Sequence, residues 1–418
     1  MKCVVIGAGI NGLSTAIWLQ RFGHDVMLVD RAEPGSGTSY GNAGILAAGA
    51  VLPVTVPGLI AKIPQMVLSK HSPLFLRWRY LPRLLPFLLK YLSFGTKKHV
   101  SRFAQEMNYL LGDSYDQHMA LAQGTGAARF IHPDDYCHGY ESQAALDADM
   151  PAIVFRRALG YQIDIETGAE FTKTDPFHQG NFSHVARHKN HGPISDPLAY
   201  SEALFAHFLD QGGAFHKACV SDVVIANGQI ECVQSDQGSI AADQYVFTLG
   251  PWVQGVSKQL GLSIPFESEG GYHVELINPS NMPKLPLMIS AGKFVITPME
   301  GRIRLAGLLE FAGLEAPDNP KAVEYLTRHI AKYLPHVRYD DMKVWHGFRP
   351  TTANSYPVIG RPAHLSNAYV GFGHQHIGLT AGPKTGRILA EMISNRPVNK
   401  DLSVFDPNQY RAVCVEVT

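Results

Sequence analysis

The chain has 418 residues with 36 basic and 36 acidic side chains, so its formal charge is zero and no global field points to nucleic acid. An apolar fraction of 45% supplies a full core for two domains or one elaborated one. Five cysteines (Cys3, Cys137, Cys219, Cys232, Cys414) are scattered without a CxxC pair, which excludes a disulfide framework and suits a reducing compartment. There is no uncharged run of about twenty residues and no signal-peptide pattern, so the expectation is a cytoplasmic protein with no bilayer span.

Residues 1–31 form one unit. Cys3 to Ile6 is a β-branched run that reads as a buried parallel strand. It enters Gly7-Ala8-Gly9-Ile10-Asn11-Gly12, after which Leu13, Ala16, Ile17 and Leu19 share a helical face and Gly23 ends the helix. Val26 to Val29 is a second strand, finishing on Asp30. In such a unit Gly7 allows the tight turn, Gly9 lets a pyrophosphate approach, and Gly12 lets helix and strand pack closely. The helix N-terminus faces the phosphates, and Asp30 accepts from ribose hydroxyls. An acid there disfavours a 2′-phosphate, although Arg31 beside it keeps some ambiguity; FAD and NAD both fit. The following RAEPGSGTSYGNAGILAAG has a bland reading as a surface loop. The reading preferred here is a second cofactor loop, with Thr38, Ser39, Asn42 and Gly44 at the cofactor.

Residues 53–100 contain no Asp or Glu, while Lys62, Lys70, Arg77, Arg79, Arg83, Lys90, Lys97 and Lys98 alternate with Leu, Phe, Trp and Tyr. One reading is a buried helical insert whose basic groups snorkel to water. The other, preferred here, is a set of short amphipathic helices lying on an anionic leaflet, with Trp78, Tyr80, Phe87, Tyr91 and Phe94 at the headgroup boundary. A helical pattern returns from Arg102 to Gln123, then Phe130 to Tyr140 reads as a hairpin turning near His132–Asp135. Asp149 to Gln179 reads as irregular. Asp196 is an N-cap with Pro197 at the first helical position. Strands are predicted on either side of an Asn227-Gly228 turn and from Tyr245 to Gly250, followed by a β-rich stretch with one helix, Ala322 to Tyr333. The last section is a glycine-rich loop feeding a helix with Pro383 in its first turn. His184, His188 and His191 cluster, but carboxylates are few around them; they read as a solvated loop, and no metal site is expected.

The motifs GAGING at 7–12, VDR at 29–31, TSYGNAGIL, TLGPW at 248–252, GGYHVEL at 270–276, GFRPTTANSYPVIG at 347–360 and GHQHIGLTAGPKTGRILAEMI at 373–393 carry a resemblance over nearly the whole length. The chain resembles the FAD-dependent D-amino acid oxidase and dehydrogenase superfamily, and within it the bacterial membrane-associated D-amino acid dehydrogenases. The resemblance implies an α/β fold (α+β overall): a Rossmann-type FAD-binding domain with a discontinuous, sheet-based substrate domain. The expected division is 1–56, 190–260 and 345–418 for FAD binding, 101–189 and 261–344 for substrate, with 57–100 as the basic amphipathic insert.

It further implies that Arg349 grips the substrate carboxylate, a role suited to the parallel donors of a guanidinium; the competing reading is a structural ion pair. Tyr272 matches a position near that carboxylate, or is a core tyrosine. His374 matches a position beside the flavin, and His376 shapes the substrate pocket or carries a proton, the competing reading being a solvated loop histidine. Gly378, Leu379 and Thr380 lead the last helix, whose N-terminus would stabilise reduced flavin; Val220 and Gly250 complete the expected cofactor contacts. No cysteine lies between Cys232 and Cys414, so FAD is expected to be noncovalent. The implied reaction is oxidative deamination of a small D-amino acid to the 2-oxo acid and ammonia, hydride passing from the alpha carbon to flavin N5. The implied acceptor is a quinone or another respiratory carrier, reached from the inner face of the cell membrane through 57–100. Rival readings are oxidation of a secondary amine (hydroxyproline, sarcosine or an opine) with O2 or another acceptor, and a flavin-binding subunit of a multi-component dehydrogenase.

Overall fold

Every residue from Cys3 to Ile6 is buried, as a parallel strand covered on both faces requires. In the computed structural model, which describes residues 1–61, 63 and 73–410, this run is the strand Lys2–Ile6 inside a six-stranded sheet. The sheet runs Val358–Gly360, Ala368–Phe372, Gln244–Phe247, Lys2–Ile6, Asp25–Asp30, Ala214–Lys217. Its pairs are parallel apart from the antiparallel edge at Val358–Gly360. One face packs on the helices Ile10–Arg21 and Gly378–Ile393, whose Leu13, Ile17, Ile388 and Leu389 share a core. The other packs on a three-stranded antiparallel sheet, Val220–Ala226, Gln229–Ser235 and Gly238–Ile240. Asn227 and Gly228 join its first two strands with φ of 52° and 72°, the left-handed pair of a tight hairpin turn.

The second sheet has nine strands and is mostly antiparallel. Its path is Asp341–Thr352, Phe266–Ile277, Arg302–Phe311, Phe294–Met299, Leu287–Ile289, Tyr136–Tyr140, His184–His188, Ile163–Thr167, with Leu74–Leu76 pairing Arg302–Phe311 from outside that path. The helix Pro320–Tyr333 covers one face with Ala322, Tyr325, Leu326 and Ile330, against Val274, Leu276 and Leu305. The two sheets meet where Thr351 bridges His374, so the strand Asp341–Thr352 lies along the end of the parallel sheet. That junction positions the site.

Several expectations are corrected. Phe130–Tyr140 is no hairpin: Gly126–Phe130 is a 3-10 turn, and Tyr136–Tyr140 pairs with His184–His188 and Leu287–Ile289. Residues 149–179 are regular, with helix Gln143–Ala158, strand Ile163–Thr167 and helix Gly168–Thr174. His188 and His191 are buried, not solvated, because His184–His188 is an inner strand; His188 lies against His138 with ring centroids 4.4 Å apart. Among the described residues no group of these side chains forms a metal site. The last helix begins at Gly378, so Pro383 lies in its second turn. The helices Lys97–Leu111 and Ser114–Ala122 pack with the parallel-sheet helices through Phe103, Met107, Leu110 and Leu121, so the division at 101 cuts across this core.

Of the basic insert, Lys62 and Lys70 lie outside the described residues. Its helix Leu81–Ser93 turns Leu84, Phe87 and Tyr91 inward against Phe311 and Ala353, so Phe87 and Tyr91 are core side chains. Arg77 pairs with Glu310 at 2.9 Å, and the Tyr80 hydroxyl donates to Glu267 at 3.0 Å. Four of the residues assigned to a membrane face, Arg77, Tyr80, Phe87 and Tyr91, are thus held by the protein itself. Trp78 (64% exposed), Leu85 (47%) and Leu89 (64%) do face outward, beside exposed Arg79, Arg83 and Lys90. No described helix is long and apolar enough to cross a membrane.

Candidate functional site

A cleft of ≈ 490 Å³ opens at the ends of the parallel strands, between the N-termini of Ile10–Arg21 and Gly378–Ile393. Two helix N-termini on one cleft give it unpaired backbone N–H groups and positive partial charge. Gly7, with φ +104°, makes the turn into the first helix. A Cβ on Gly12 would stand 1.8 Å from the Gly7 carbonyl, so only glycine permits this packing. Asp30 Oδ2 accepts from Ala8 N at 2.6 Å and Oδ1 from Ala32 N at 3.0 Å. Each oxygen keeps a lone pair for a ribose hydroxyl, so Asp30 both shapes the glycine loop and faces the cleft. Arg31 stacks over Trp252 at 4.3 Å, forming the rim of that end.

Of the expected cofactor contacts, Gly7, Gly9, Ile10, Asn11, Asp30, Arg31, Thr38, Ser39, Asn42, Val220, Gly250, Gly378 and Leu379 line the cleft. Ser39 Oγ accepts from Ile10 N at 3.0 Å, and Thr38 Oγ1 donates to the Phe348 carbonyl at 2.8 Å, tying the second loop to the large sheet. Gly12, Gly44 and Thr380 do not reach the wall. Gly44 turns the chain at φ +75°, and Thr380 Oγ1 donates to the Ile45 carbonyl at 3.3 Å behind the loop. Gln375, absent from the expected set, lines the cleft with left-handed backbone (φ 49°) and a buried Nε2 that has no partner among the described residues. A buried, unpartnered amide donor in a cleft asks for an acceptor, and the pyrimidine edge of a flavin offers several.

The expected reaction residues separate. His374 is 1% exposed and is a strut: Asn11 Nδ2 donates to its Nδ1 at 3.1 Å, and its Nε2–H donates to Thr385 Oγ1 at 2.9 Å. Burial depresses its pKa to about 3, so the ring is neutral and links the glycine helix to the last helix. Tyr272 is a core residue. It stacks on His346 at 4.3 Å, its hydroxyl donates to Glu310 at 2.6 Å, and it packs with Val274 and Leu276 beneath Pro320–Tyr333. His376 is exposed, on the 3-10 turn Gln375–Ile377, where the packed protein around it and then the Arg349 charge lower its pKa.

Arg349 lies across from Glu269 in register and pairs with it at 2.8 Å; Glu269 is 4% exposed. Nη1 also donates to the Leu308 carbonyl at 2.8 Å and Nη2 to the Gly307 carbonyl at 3.3 Å. Leu308 carries φ 65° at the bulge of its strand, a conformation costing about 1–3 kcal/mol, which turns these carbonyls to the guanidinium. The guanidinium lies over Gly271, whose absent Cβ would stand 2.5 Å from Nη2. Burial raises the Glu269 pKa, and the Arg349 charge opposes that shift. Arg349 is therefore ion-paired and 20% exposed, at the sheet junction beside His376.

Two further residues escaped sequence reasoning. Arg304, with 0% exposure, donates to the carbonyls of Tyr40 (2.6 Å) and Asn42 (2.5 Å) and pairs with Glu275 at 2.7 Å, so it holds the cofactor loop from below. Burial raises the Glu275 pKa, but Arg304 and Arg302 more than offset it and hold it at about 2. His118 donates from Nε2 to the Leu379 carbonyl at 2.9 Å and accepts from the Tyr200 hydroxyl at 2.8 Å, fixing the first turn of the last helix. A signal for Arg304 existed, since Arg302 and Arg304 alternate with Ile303 and Leu305 in an otherwise apolar run, and a buried arginine requires an acid.

Comparison with known proteins agrees with this geometry. The family model described as FAD dependent oxidoreductase (DAO) matches residues 2–392. A D-amino-acid oxidase of Bradyrhizobium diazoefficiens is 32% identical over 97% of this chain and 98% of its own. A D-amino acid dehydrogenase of Rhizobium rhizogenes is 28% identical over 98% and 100%. Among solved structures, glycine oxidase from Geobacillus kaustophilus superposes with a TM-score of 0.74 at 19% identity, over 97% of this chain and 98% of that one. The chain belongs to the DAO family of FAD-dependent oxidoreductases, and FAD is its cofactor.

Proposed function

We propose that the protein oxidises the Cα–N bond of a small D-amino acid, giving a 2-oxo acid and ammonia after hydrolysis of the imine. The observation that carries this is Arg349, a partly exposed guanidinium held on three sides at the junction of the cofactor cleft and the large sheet. Bound FAD supplies the acceptor for the hydride. Arg349 binds the substrate carboxylate through two donors and so orients the Cα–H bond. Glu269 and the Leu308 bulge hold the guanidinium still. His376 stands close enough to Arg349 to feel its charge and borders the substrate on that side. FAD is held without a covalent bond on this reading, since no cysteine lies between Cys232 and Cys414 to offer a thiol from the glycine-rich region ahead of the last helix.

The relatives named D-amino acid dehydrogenase support an acceptor other than oxygen. We place that acceptor in the membrane as a quinone, reached by docking through the outward Trp78, Leu85 and Leu89 with Arg79, Arg83 and Lys90 around them. The protein is then peripheral on the cytoplasmic face. The FAD-binding domain comprises 1–56, 190–260 and 345–418 together with the helices from 97 to 122; the remaining part of 101–189 and 261–344 form the substrate domain. The test is anaerobic mixing with a panel of D-amino acids, glycine and N-alkyl amino acids while flavin absorbance is followed. Bleaching by D-amino acids is expected; bleaching only by secondary amines would replace this substrate class.

A further inference from the structure

Arg349 has five N–H donors, and the fold has already engaged three of them. The two Nη1 hydrogens go to Glu269 Oε1 and the Leu308 carbonyl, both at 2.8 Å, and one Nη2 hydrogen goes to the Gly307 carbonyl at 3.3 Å. The Nε–H and one Nη2 hydrogen remain, donors enough for one carboxylate. Glu269 is itself fixed: it is paired in register with Arg349 on the neighbouring strand, and its Oε2 accepts from Thr351 Oγ1 at 3.3 Å. Gly271 leaves the space in which the guanidinium lies flat. An arginine needed only to attract an anion would not be backed by a buried acid, since that acid cancels much of the attraction.

We propose that Glu269 is a positioning residue for the reaction: it clamps Arg349 so that one fork, in one orientation, meets the substrate carboxylate, and its charge restrains how tightly carboxylates bind. The inference rests on the reading of Arg349 as the carboxylate anchor. Affinity is given up for alignment, which is the trade that favours turnover over ground-state binding. The same charge repels a second carboxylate on the substrate, so the site selects monocarboxylates.

Glu269→Gln keeps the acceptor oxygen and the shape while removing the charge. Glu269→Ala removes the clamp. Both are compared with the parent and Arg349→Ala as FAD-loaded protein at pH 8, with acetate binding read from the flavin spectrum and turnover measured with D-alanine and a dye acceptor. Glu269→Gln is expected to bind acetate about 10-fold tighter and to lower KM with kcat within about twofold. Glu269→Ala is expected to bind acetate at least as well as the parent but to lose about 10-fold or more in kcat. Should Glu269→Ala fail to fold, Glu269→Gln decides alone. Unchanged acetate affinity in Glu269→Gln, with Arg349→Ala unable to bind acetate, overturns the role of Glu269 and leaves the anchor standing. Acetate binding that survives Arg349→Ala overturns the anchor itself.

Discussion

Lowering the pH from 7.0 to 5.5 should destabilise this protein through its buried histidines. His118, His178, His273 and His374 are between 0% and 2% exposed. Burial depresses their pKa values, to about 4 for His118 and His178 and about 3 for His273 and His374, with Arg304 adding to the effect at His273. In the unfolded chain each titrates near 6.5. The folded values lie below that, so the stability these rings contribute is fully present above pH 6.5. It is lost as the pH falls toward 4, because the unfolded chain takes up protons that the fold refuses. Between pH 7.0 and 5.5 each ring costs about 1.3 kcal/mol, and the four together about 5 kcal/mol. Glu267 and Glu269, raised by burial, work in the opposite sense, but His138, His188 and His191, lowered by burial as well, add to the four. For a chain of this size the loss corresponds to a Tm lower by roughly 6 °C. Calorimetry in half-unit steps with FAD in excess measures it, and His118→Gln should flatten the slope. A Tm that stays level or rises between pH 7.0 and 5.5 would refute the reasoning.

Other perturbations bear on the site. Arg349→Lys should weaken substrate and carboxylate binding by roughly 2–4 kcal/mol with FAD content unchanged, because an ammonium cannot serve Glu269, two carbonyls and a carboxylate fork at once; spectral titration checks it. Gly12→Ala should yield colourless protein, since its Cβ would collide with the Gly7 carbonyl at 1.8 Å, and absorbance of the purified protein reports this directly. Acid precipitation of the parent should leave FAD in the supernatant; yellow colour retained in the pellet would show a covalent bond. Arg79→Glu with Arg83→Glu should abolish flotation with anionic liposomes at low salt, each reversal removing about 1 kcal/mol of attraction or more. Arg77 is excluded from that variant because it pairs with Glu310.

The nucleotide-binding half was legible because its signals are local. Gly7, Gly12 and Asp30 act on backbone within a few residues, and the strand–turn–helix spacing that places them is read directly from the chain. The Asp196 cap and the Asn227-Gly228 turn are local in the same way, with Asp196 Oδ1 accepting from Leu198 N and Ala199 N. The stretch 149–179 reads as irregular although it holds the capping box Thr167–Glu170, because its polar surroundings and the proline inside Gln143–Ala158 disguise the regular structure there. Periodicity could not tell which face of Leu81–Ser93 was inward, since leucines and aromatics lie on both; Phe311 and Ala353 decided it by burying Phe87 and Tyr91.

The sequence by itself determined the chemistry on offer: a dinucleotide loop, an arginine in a strand, and a helix N-terminus near the C-terminal end. Tertiary structure alone decided which of the candidate groups face the site. Tyr272 stands third in GGYHVEL at 270–276 and Arg349 third in GFRP at 347–350, so position in the motif does not distinguish them; what separates them is pleat. Tyr272 falls on the face closed by Pro320–Tyr333, while Arg349 and Glu269 are opposite one another on neighbouring strands 80 positions apart in the chain. Likewise His374 joins Asn11 to Thr385 across 363 residues, a contact no spacing rule could anticipate. Strand pairing and burial bring such groups together, and these depend on the whole chain because a buried charge or imidazole is tolerated only where a partner from elsewhere satisfies it.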